Sequence, residues 1–280
     1  MHLDTSGELI AWRPEAQEDQ NENAVLRCAP IASLNDTWDL PQPSHIRLNF
    51  MEALAFDWVN ENWHLTASRV SYVCSYLFDR CVKLAEAGGT SRFYAAYDMP
   101  NRLLFRIVNE KYGPYKLQVL NLDGTGLREL PVNITYPCGM AVDPVQKQIY
   151  ILASRRNIGL DAEIYQVNYA GENERMIAAL DERIATNFRR AIDDLVELGC
   201  HKKYPAYAVV ASADSLQAVD LQTEQVTEIL SGLNNVTDLA FFRAGERGVP
   251  AVLVGRQWRV PWFVVAGRSR LESFYRSASG

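Results

Sequence analysis

The sequence predicts an all-β fold, a six-bladed β-propeller of four-stranded antiparallel blades. A short apolar strand ending in or near Asp returns along the chain at Leu3-Asp4, Phe56-Asp57, Tyr97-Asp98, Val142-Asp143 and Ile192-Asp193, and without the acid at Phe241-Phe242. These anchors lie roughly 41 to 53 residues apart, the length of one four-stranded blade. Between anchors, further apolar strands alternate with turn residues. Of the 280 residues, 48% are hydrophobic and 22% charged, a composition that can bury a core and gives no reason to expect long disorder.

One ring is expected over residues 1–280, with blades at about 3–47, 49–88, 91–132, 136–180, 186–231 and 234–276. In the first blade, 8–12 and 25–28 read as strands around a polar acidic loop at 15–22. The second reads as strands at 50–56, 63–67, 69–74 and 81–85, and the third as 93–97, 103–108, 115–121 and 127–132. The fourth reads as 139–142, 148–153, 163–168 and 175–179, and the fifth as 188–192, 206–211, 216–220 and 225–230. The sixth reads as 236–241, 251–255, 261–266 and 271–275. Between third and fourth strands stand Asn121-Leu122-Asp123-Gly124, Asn168-Tyr169-Ala170-Gly171 and Asp220-Leu221-Gln222-Thr223. Gly, Asn and Asp there supply the positive φ that a tight hairpin needs. Only residues 172–190 show helical spacing, and Thr186 interrupts it.

Charge and hydropathy narrow the partners. A net charge of −6 and a pI near 5.4 argue against nucleic acid and against an anionic membrane surface, both of which attract basic patches. No apolar run reaches the roughly 18 residues of a membrane span. The longest candidate, 260–266, contains Pro261 and is strand length. Met1 is followed by His2, Leu3, Asp4 and Thr5 rather than by a basic stretch and an apolar segment, so no secretion signal is read. Taken alone this implies the cytosol, unless the sequence is a fragment or partial gene model. Three sequons, at Asn35, Asn133 and Asn235, fall between expected blade strands, where a glycan would project into water.

Several segments carry a family resemblance. They are Leu54-Ala55-Phe56-Asp57-Trp58-Val59-Asn60-Glu61-Asn62-Trp63, then Arg69-Val70-Ser71-Tyr72-Val73-Cys74 with Arg80-Cys81-Val82, and Pro137-Cys138-Gly139-Met140-Ala141-Val142-Asp143-Pro144. With Ile149-Tyr150 and the run from Ile164 to Asn173, they resemble the blades of YWTD (LDL-receptor class B) propellers. The likeness runs in order over roughly residues 3 to 275. It is greatest to the N-terminal propeller of the large LDL-receptor-related endocytic receptors, whose first blade also has a long loop before a strand ending in Cys, as at Leu26-Arg27-Cys28. Where the YWTD tetrad belongs, this chain has His64-Leu65-Thr66-Ala67, Leu104-Phe105-Arg106-Ile107 and Tyr150-Ile151-Leu152-Ala153. The closing Asp is missing each time, so donors that it would satisfy must find other partners.

The resemblance implies a non-enzymatic extracellular or endosomal-lumen segment of a cell-surface receptor. Its partners would be protein ligands and neighbouring receptor modules, bound or released by acid during endocytosis. It implies no cofactor and no membrane contact by this segment itself, calcium belonging to flanking EGF-like modules outside this chain. Cys74 and Cys81 flank the hairpin 75–80, a spacing that can oppose two sulfurs on adjacent strands, and the family pairs cysteines at the matching positions. In a cytosolic protein the same two residues would be reduced buried thiols. Cys28, Cys138 and Cys200 define no framework.

Asp57, Asp98, Asp143 and Asp193 allow two readings. Converging on a central channel, they would bind calcium or serve a propeller hydrolase or lactonase. Serving one blade each, they would cap the turn after the inner strand. Repetition favours the second reading, because catalytic residues are singular departures from a repeat. Beyond them no catalytic residue and no metal site is identified: His2, His45, His64 and His201 lack a zinc-protease context, no CxxC pair or Cys/His cluster suggests zinc, and no GxSxG elbow occurs. The turn Gly124-Thr125-Gly126 is not a phosphate loop. In the receptor family, surface histidines act as acid switches, a role open to His64 and His201 beside the plainer one of packed or solvated rings. The pairs Arg155-Arg156, Arg189-Arg190 and Lys202-Lys203 read as solvated loop charges. Trp58, Trp63, Tyr112, Tyr115, Trp258 and Trp262 lie at or near loops, as rim contacts or as wedges between blades. Two further hypotheses stand beside the receptor: a calcium-dependent propeller hydrolase or lactonase, and a secreted interaction propeller complete as it stands.

Overall fold

The computed structural model describes residues 2–3, 9–12, 26–30, 36–41, 43–46, 48, 51–57, 59–67, 69–88, 94–109, 113–144, 146–154, 162–180, 195–197, 207–211, 215–220, 223–231, 236–244, 249–256 and 263–266. They form six antiparallel sheets, each from one contiguous stretch of chain. The first comprises β1 (His2–Leu3), β2 (Leu9–Trp12), β3 (Leu26–Pro30) and β4 (Trp38–Leu40). The second has β5 (Met51–Asp57), β6 (Asn62–Ala67), β7 (Val70–Ser75) and β8 (Cys81–Glu86). The third has β9 (Tyr94–Asp98), β10 (Leu103–Asn109), β11 (Tyr115–Asn121) and β12 (Arg128–Ile134). The fourth has β13 (Pro137–Asp143), β14 (Gln148–Ser154), β15 (Ala162–Asn168) and β16 (Arg175–Ala179).

The fifth sheet is β17 (Leu195–Glu197), β18 (Tyr207–Ala211), β19 (Ser215–Asp220) and β20 (Val226–Ser231). The sixth has three described strands, β21 (Val236–Ala244), β22 (Val249–Arg256) and β23 (Phe263–Ala266), and the expected strand at 271–275 lies outside the described residues. The first strands β1, β5, β9, β13, β17 and β21 neighbour one another in cyclic order, with β21 returning to β1. That order makes the molecule a β-propeller, in which the two faces of each blade are covered by its two neighbours.

Where sequence and structure differ, the differences are local. The first strand of the fifth sheet that pairs with β18 is Leu195–Glu197, later than the expected 188–192, which is outside the described residues, as is Asp193. Of the span with helical spacing, 175–179 is the strand β16. Among the described residues no helix is long and apolar enough to cross a membrane.

Alternating side chains of each strand face the two neighbouring blades. Toward the first sheet, the second presents Leu54, Phe56, Trp63, Leu65 and Tyr72, which meet Leu26, Cys28, Leu40, Ile46 and Leu48. Trp63 is a wedge in this layer rather than a rim residue, 1% exposed, with its ring 4.8 Å from Phe56. The third and fourth sheets meet through Phe105, Ile107, Leu117, Val119, Ile149, Ile151 and Tyr169. Burying side chains of this size stabilises by about 1.5–3 kcal/mol each.

The hairpins between third and fourth strands touch the preceding blade. Gly124 (φ 85°) and Gly171 (φ 83°) sit where a Cβ would stand 2.5 Å from the Leu84 carbonyl oxygen and 2.5 Å from Pro131 Cδ, respectively. Both the backbone conformation and the close approach of the preceding blade require glycine there.

Candidate functional site

The acids that end the first strands close a turn in each blade and reach into the next. Asp57 Oδ1 accepts from the backbone of Val59 (3.1 Å) and Asn60 (3.3 Å), and Oδ2 accepts from Asn60 Nδ2 (2.9 Å). Asp98 accepts from the Asn101 backbone (3.0 Å) and Asn101 Nδ2 (2.8 Å), and Asp143 accepts from the Gln146 backbone (2.8 Å). The residue four places after each acid, Glu61, Arg102 or Lys147, has positive φ, so the same left-handed turn recurs three times without glycine. An Asp side chain that fixes its own turn offsets the cost of that conformation.

Across the blades, Arg102 Nη1 donates to Asp57 Oδ2. Tyr169 Oη donates to Asp98 Oδ2 at 2.6 Å, with the Asp143 carbonyl oxygen 3.3 Å away, while Asn101 Nδ2 donates to the Pro144 carbonyl at 3.0 Å. Farther out, Arg128 Nη2 donates to the Tyr169 carbonyl and Arg175 Nη1 to Glu224 Oε1. Asp57, Asp98 and Asp143 are at most 2% exposed, so these three carboxylates face turns and neighbouring blades rather than open solvent. Among the described residues no three His, Cys, Asp or Glu side chains converge as a metal site.

Strand pairing places Asn62, Leu103 and Gln148 opposite the three acids, which sets the equivalence of the second strands. The four residues matching His64-Leu65-Thr66-Ala67 are therefore Phe105-Arg106-Ile107-Val108 in the third sheet, one place beyond the sequence alignment, and Tyr150-Ile151-Leu152-Ala153 in the fourth. At the place of the family's closing Asp stand Ala67, Val108 and Ala153, all buried.

The layer between the second and third sheets departs from the apolar pattern. His64 and Thr66 occupy places that are Phe105 and Ile107, or Tyr150 and Leu152, in the next two blades. Thr66 Oγ1 lies 3.1 Å from Ser71 Oγ and 2.6 Å from Tyr97 Oη, and burial pushes the Tyr97 phenol well above its usual pKa. Arg106 Nε donates to Gln118 Oε1 at 2.9 Å. Beside these polar groups lie Ala55, Leu104, Leu120 and Leu122.

His64 is 2% exposed, and burial pushes its pKa down to about 4, against the attraction of Asp57. Burial thus works against the expected protonation of this ring in a mildly acidic endosome. Its Nε2 lies 3.9 Å from Asp57 Oδ2, beyond hydrogen-bond distance, so the two do not form a hydrogen-bonded acid–base pair. Burial also pushes the Asp57 pKa up, but hydrogen bonds from Asn60 and Arg102 and the charge of Arg102 outweigh it and hold the carboxyl below the usual value.

Cys74 and Cys81 are joined by a disulfide across the β7–β8 pair. Between them, Tyr76 and Leu77 are 42% and 62% exposed, while the Trp63 indole donates to the Tyr76 carbonyl at 3.0 Å and pins the hairpin to the blade. Val59, 74% exposed, sits in another turn of this sheet. Asn133 is exposed at the edge of a groove of about 190 Å³ between the third and fourth sheets, lined also by Ile151, Tyr165 and Glu174. Asn35, Asn235, His201, Cys200, Tyr112, Trp58, Trp258, Trp262 and the three basic pairs lie outside the described residues, and of Cys138 only the backbone is described. Cys28 is buried and Tyr115 half-buried.

Asn60, Asn101 and Arg102 escaped the sequence reading, although the first two carry a visible signal. Asp-x-x-Asn occurs at both 57–60 and 98–101, with Asp-x-x-Gln at 143–146.

The architecture defines the chain as a β-propeller, and comparison with solved structures agrees. It is similar to a chain in the crystal structure of a nidogen/laminin complex, at 16% identity and a TM-score of 0.59, covering 83% of this chain and 82% of that one. TolB from Acinetobacter baumannii matches at 8% identity and a TM-score of 0.58, covering 90% and 61%. A gluconolactonase from Xanthomonas campestris matches at 10% identity and a TM-score of 0.55, covering 88% and 83%. At such identities the likeness concerns fold alone. No protein-family model and no curated protein matches the sequence.

Proposed function

We propose that this chain is a non-enzymatic, protein-binding propeller that works in an oxidising compartment, as an extracellular or endosomal-lumen segment of an LDL-receptor-related cell-surface receptor. The observation that carries the proposal is the Cys74–Cys81 disulfide, which fits an oxidising environment and staples a hairpin that displays Tyr76 and Leu77. Exposed aromatic and aliphatic side chains on a rigid support are the usual anchors of protein recognition. The three described acids also support a scaffold, since turns and neighbouring blades already use their oxygens. In this reading the propeller binds protein ligands or holds neighbouring receptor modules during endocytosis. The exposed Asn133 is a glycan acceptor in the same setting.

The test is non-reducing peptide mapping of the protein from its native source, combined with assays for calcium-dependent hydrolysis of lactones and aryl esters. An intact Cys74–Cys81 bridge and turnover no faster than buffer are expected. Two free thiols would remove the main support.

A calcium-dependent hydrolase or lactonase is the second reading, favoured by the fold likeness to the gluconolactonase. Calcium-stimulated turnover in the same assays selects it.

A further inference from the structure

Arg106 breaks the repeat at a buried position. Its counterparts by strand pairing are Leu65 and Ile151, both fully buried and apolar, and the matching places on the third strands are Tyr72 and Tyr165. In the third sheet alone of these three, the pair is Arg106 and Gln118. Two neighbouring positions have thus changed together from an apolar pair to a polar one. Singular departure from a repeat is the mark of a site rather than of scaffold.

A guanidinium carries five N–H donors and keeps its charge at any physiological pH. Arg106 is 2% exposed, uses Nε on Gln118, and has Nη1 buried without a hydrogen-bond partner. Ala85 and Ala95 in the same layer, with Ala87 against Val108 and Ala95, keep the surrounding side chains small. His64 Nδ1, in the facing sheet, is likewise buried without a partner.

Among the described residues, no charge facing this layer forms an ion pair with Arg106. Asp57 is committed to Arg102, Asn60 and its own turn. Glu52 raises the Tyr97 phenol electrostatically, but burial alone acts on Arg106, which lowers its pKa. Lys83 and Glu86, at the outer strand, pair with each other in solvent. His64 and Tyr97 are neutral. An unpaired buried cation costs several kcal/mol, and an anion is the natural remedy.

We propose that the layer between the second and third sheets binds a small monovalent anion of the halide class on Arg106. Chloride matches the single positive charge of Arg106. The bound ion joins two blades as Leu65 and Ile151 join theirs through apolar contact. This proposal is independent of receptor or enzyme function.

The test is thermal unfolding of the whole chain in sodium chloride and in sodium gluconate at equal ionic strength, gluconate being a much larger anion than chloride. For the wild type, chloride raises Tm by roughly 3 °C, because a ligand that binds the native state alone stabilises it. Gln118→Glu places a carboxylate against Arg106 with nearly unchanged shape, so its Tm becomes independent of chloride. Arg106→Met also loses the response, and chloride NMR line broadening by the wild type is lost in both variants. Equal wild-type Tm in the two salts, with no line broadening, overturns the proposal and leaves water as the occupant. A full chloride response in Gln118→Glu overturns it as well, even if Arg106→Met fails to fold.

Discussion

Tyr169 of the fourth blade donates its phenolic hydrogen to Asp98 of the third at 2.6 Å, joining a turn of one blade to the end of the first strand of another. Both residues are buried, so neither group has water as an alternative partner. Tyr169→Phe removes the donor and keeps the ring against Phe105, whose centroid lies 4.5 Å away. The expected loss is about 1–3 kcal/mol in urea unfolding, with an unchanged m-value. Tyr165→Phe, at a half-buried site whose hydroxyl meets Glu163 in its own strand, costs less. Equal losses in the two variants contradict an interblade role for Tyr169.

Stability should fall as pH drops from about 6.5 to 4, and His64 is the cause. The unfolded chain binds a proton at His64 near pH 6.5, whereas the folded chain resists it until about pH 4. Protons are thus taken up by the unfolded state first, and the native state loses about 3 kcal/mol across that window. His64→Leu flattens this part of the profile. Asp57 acts lower down: its depressed folded pKa gives stability that is present above 3.8 and lost as pH falls through the folded value. Asp57→Asn therefore flattens the limb below pH 4, and free energies of unfolding measured from pH 7 to 3 separate the two.

The Cys74–Cys81 bridge closes a short loop, seven residues apart in sequence. Chain entropy assigns such a loop about 2 kcal/mol, so reductant lowers the unfolding midpoint of the wild type by a corresponding amount. A Cys74→Ala, Cys81→Ala double variant starts at the lower midpoint and is insensitive to reductant. Identical wild-type curves with and without reductant contradict the bridge.

Gly171→Ala should be among the most damaging small substitutions. It sets a Cβ 2.5 Å from Pro131 Cδ and 2.9 Å from Leu130 Cβ at a φ of 83°. The combined strain and displacement of the third blade's outer strand cost about 2 kcal/mol or more, measured as a lower Tm. Gly88→Ala, with nothing near its Cβ, is the control.

Much of the ring was legible because its signals are local. In the second, third and fourth blades the strands of the structure match the expected ones within about two residues, since apolar runs and turn residues fix both ends. The acids were legible as a repeat, and the Asp-x-x-Asn spacing could have added Asn60 and Asn101. The tetrad of the third blade was misplaced by one residue because no motif residue survives there to set the register. Strand pairing sets it, and thereby exposes Arg106 as the odd member of Leu65, Arg106 and Ile151.

By itself, then, the sequence determined the blade period, the strand order and which residues end the first strands of the second, third and fourth blades. Those features rest on contacts between residues near in the chain, which propensity and spacing encode. The tertiary structure decided which blade each acid serves. Arg102 reaches Asp57 from 45 residues away and Tyr169 reaches Asp98 from 71, distances over which spacing carries no geometric information. It also decided that His64 is sealed from solvent and that Arg106 lies buried without a counter-charge. Burial and pairing belong to the space between blades, and that space exists only once the ring has closed.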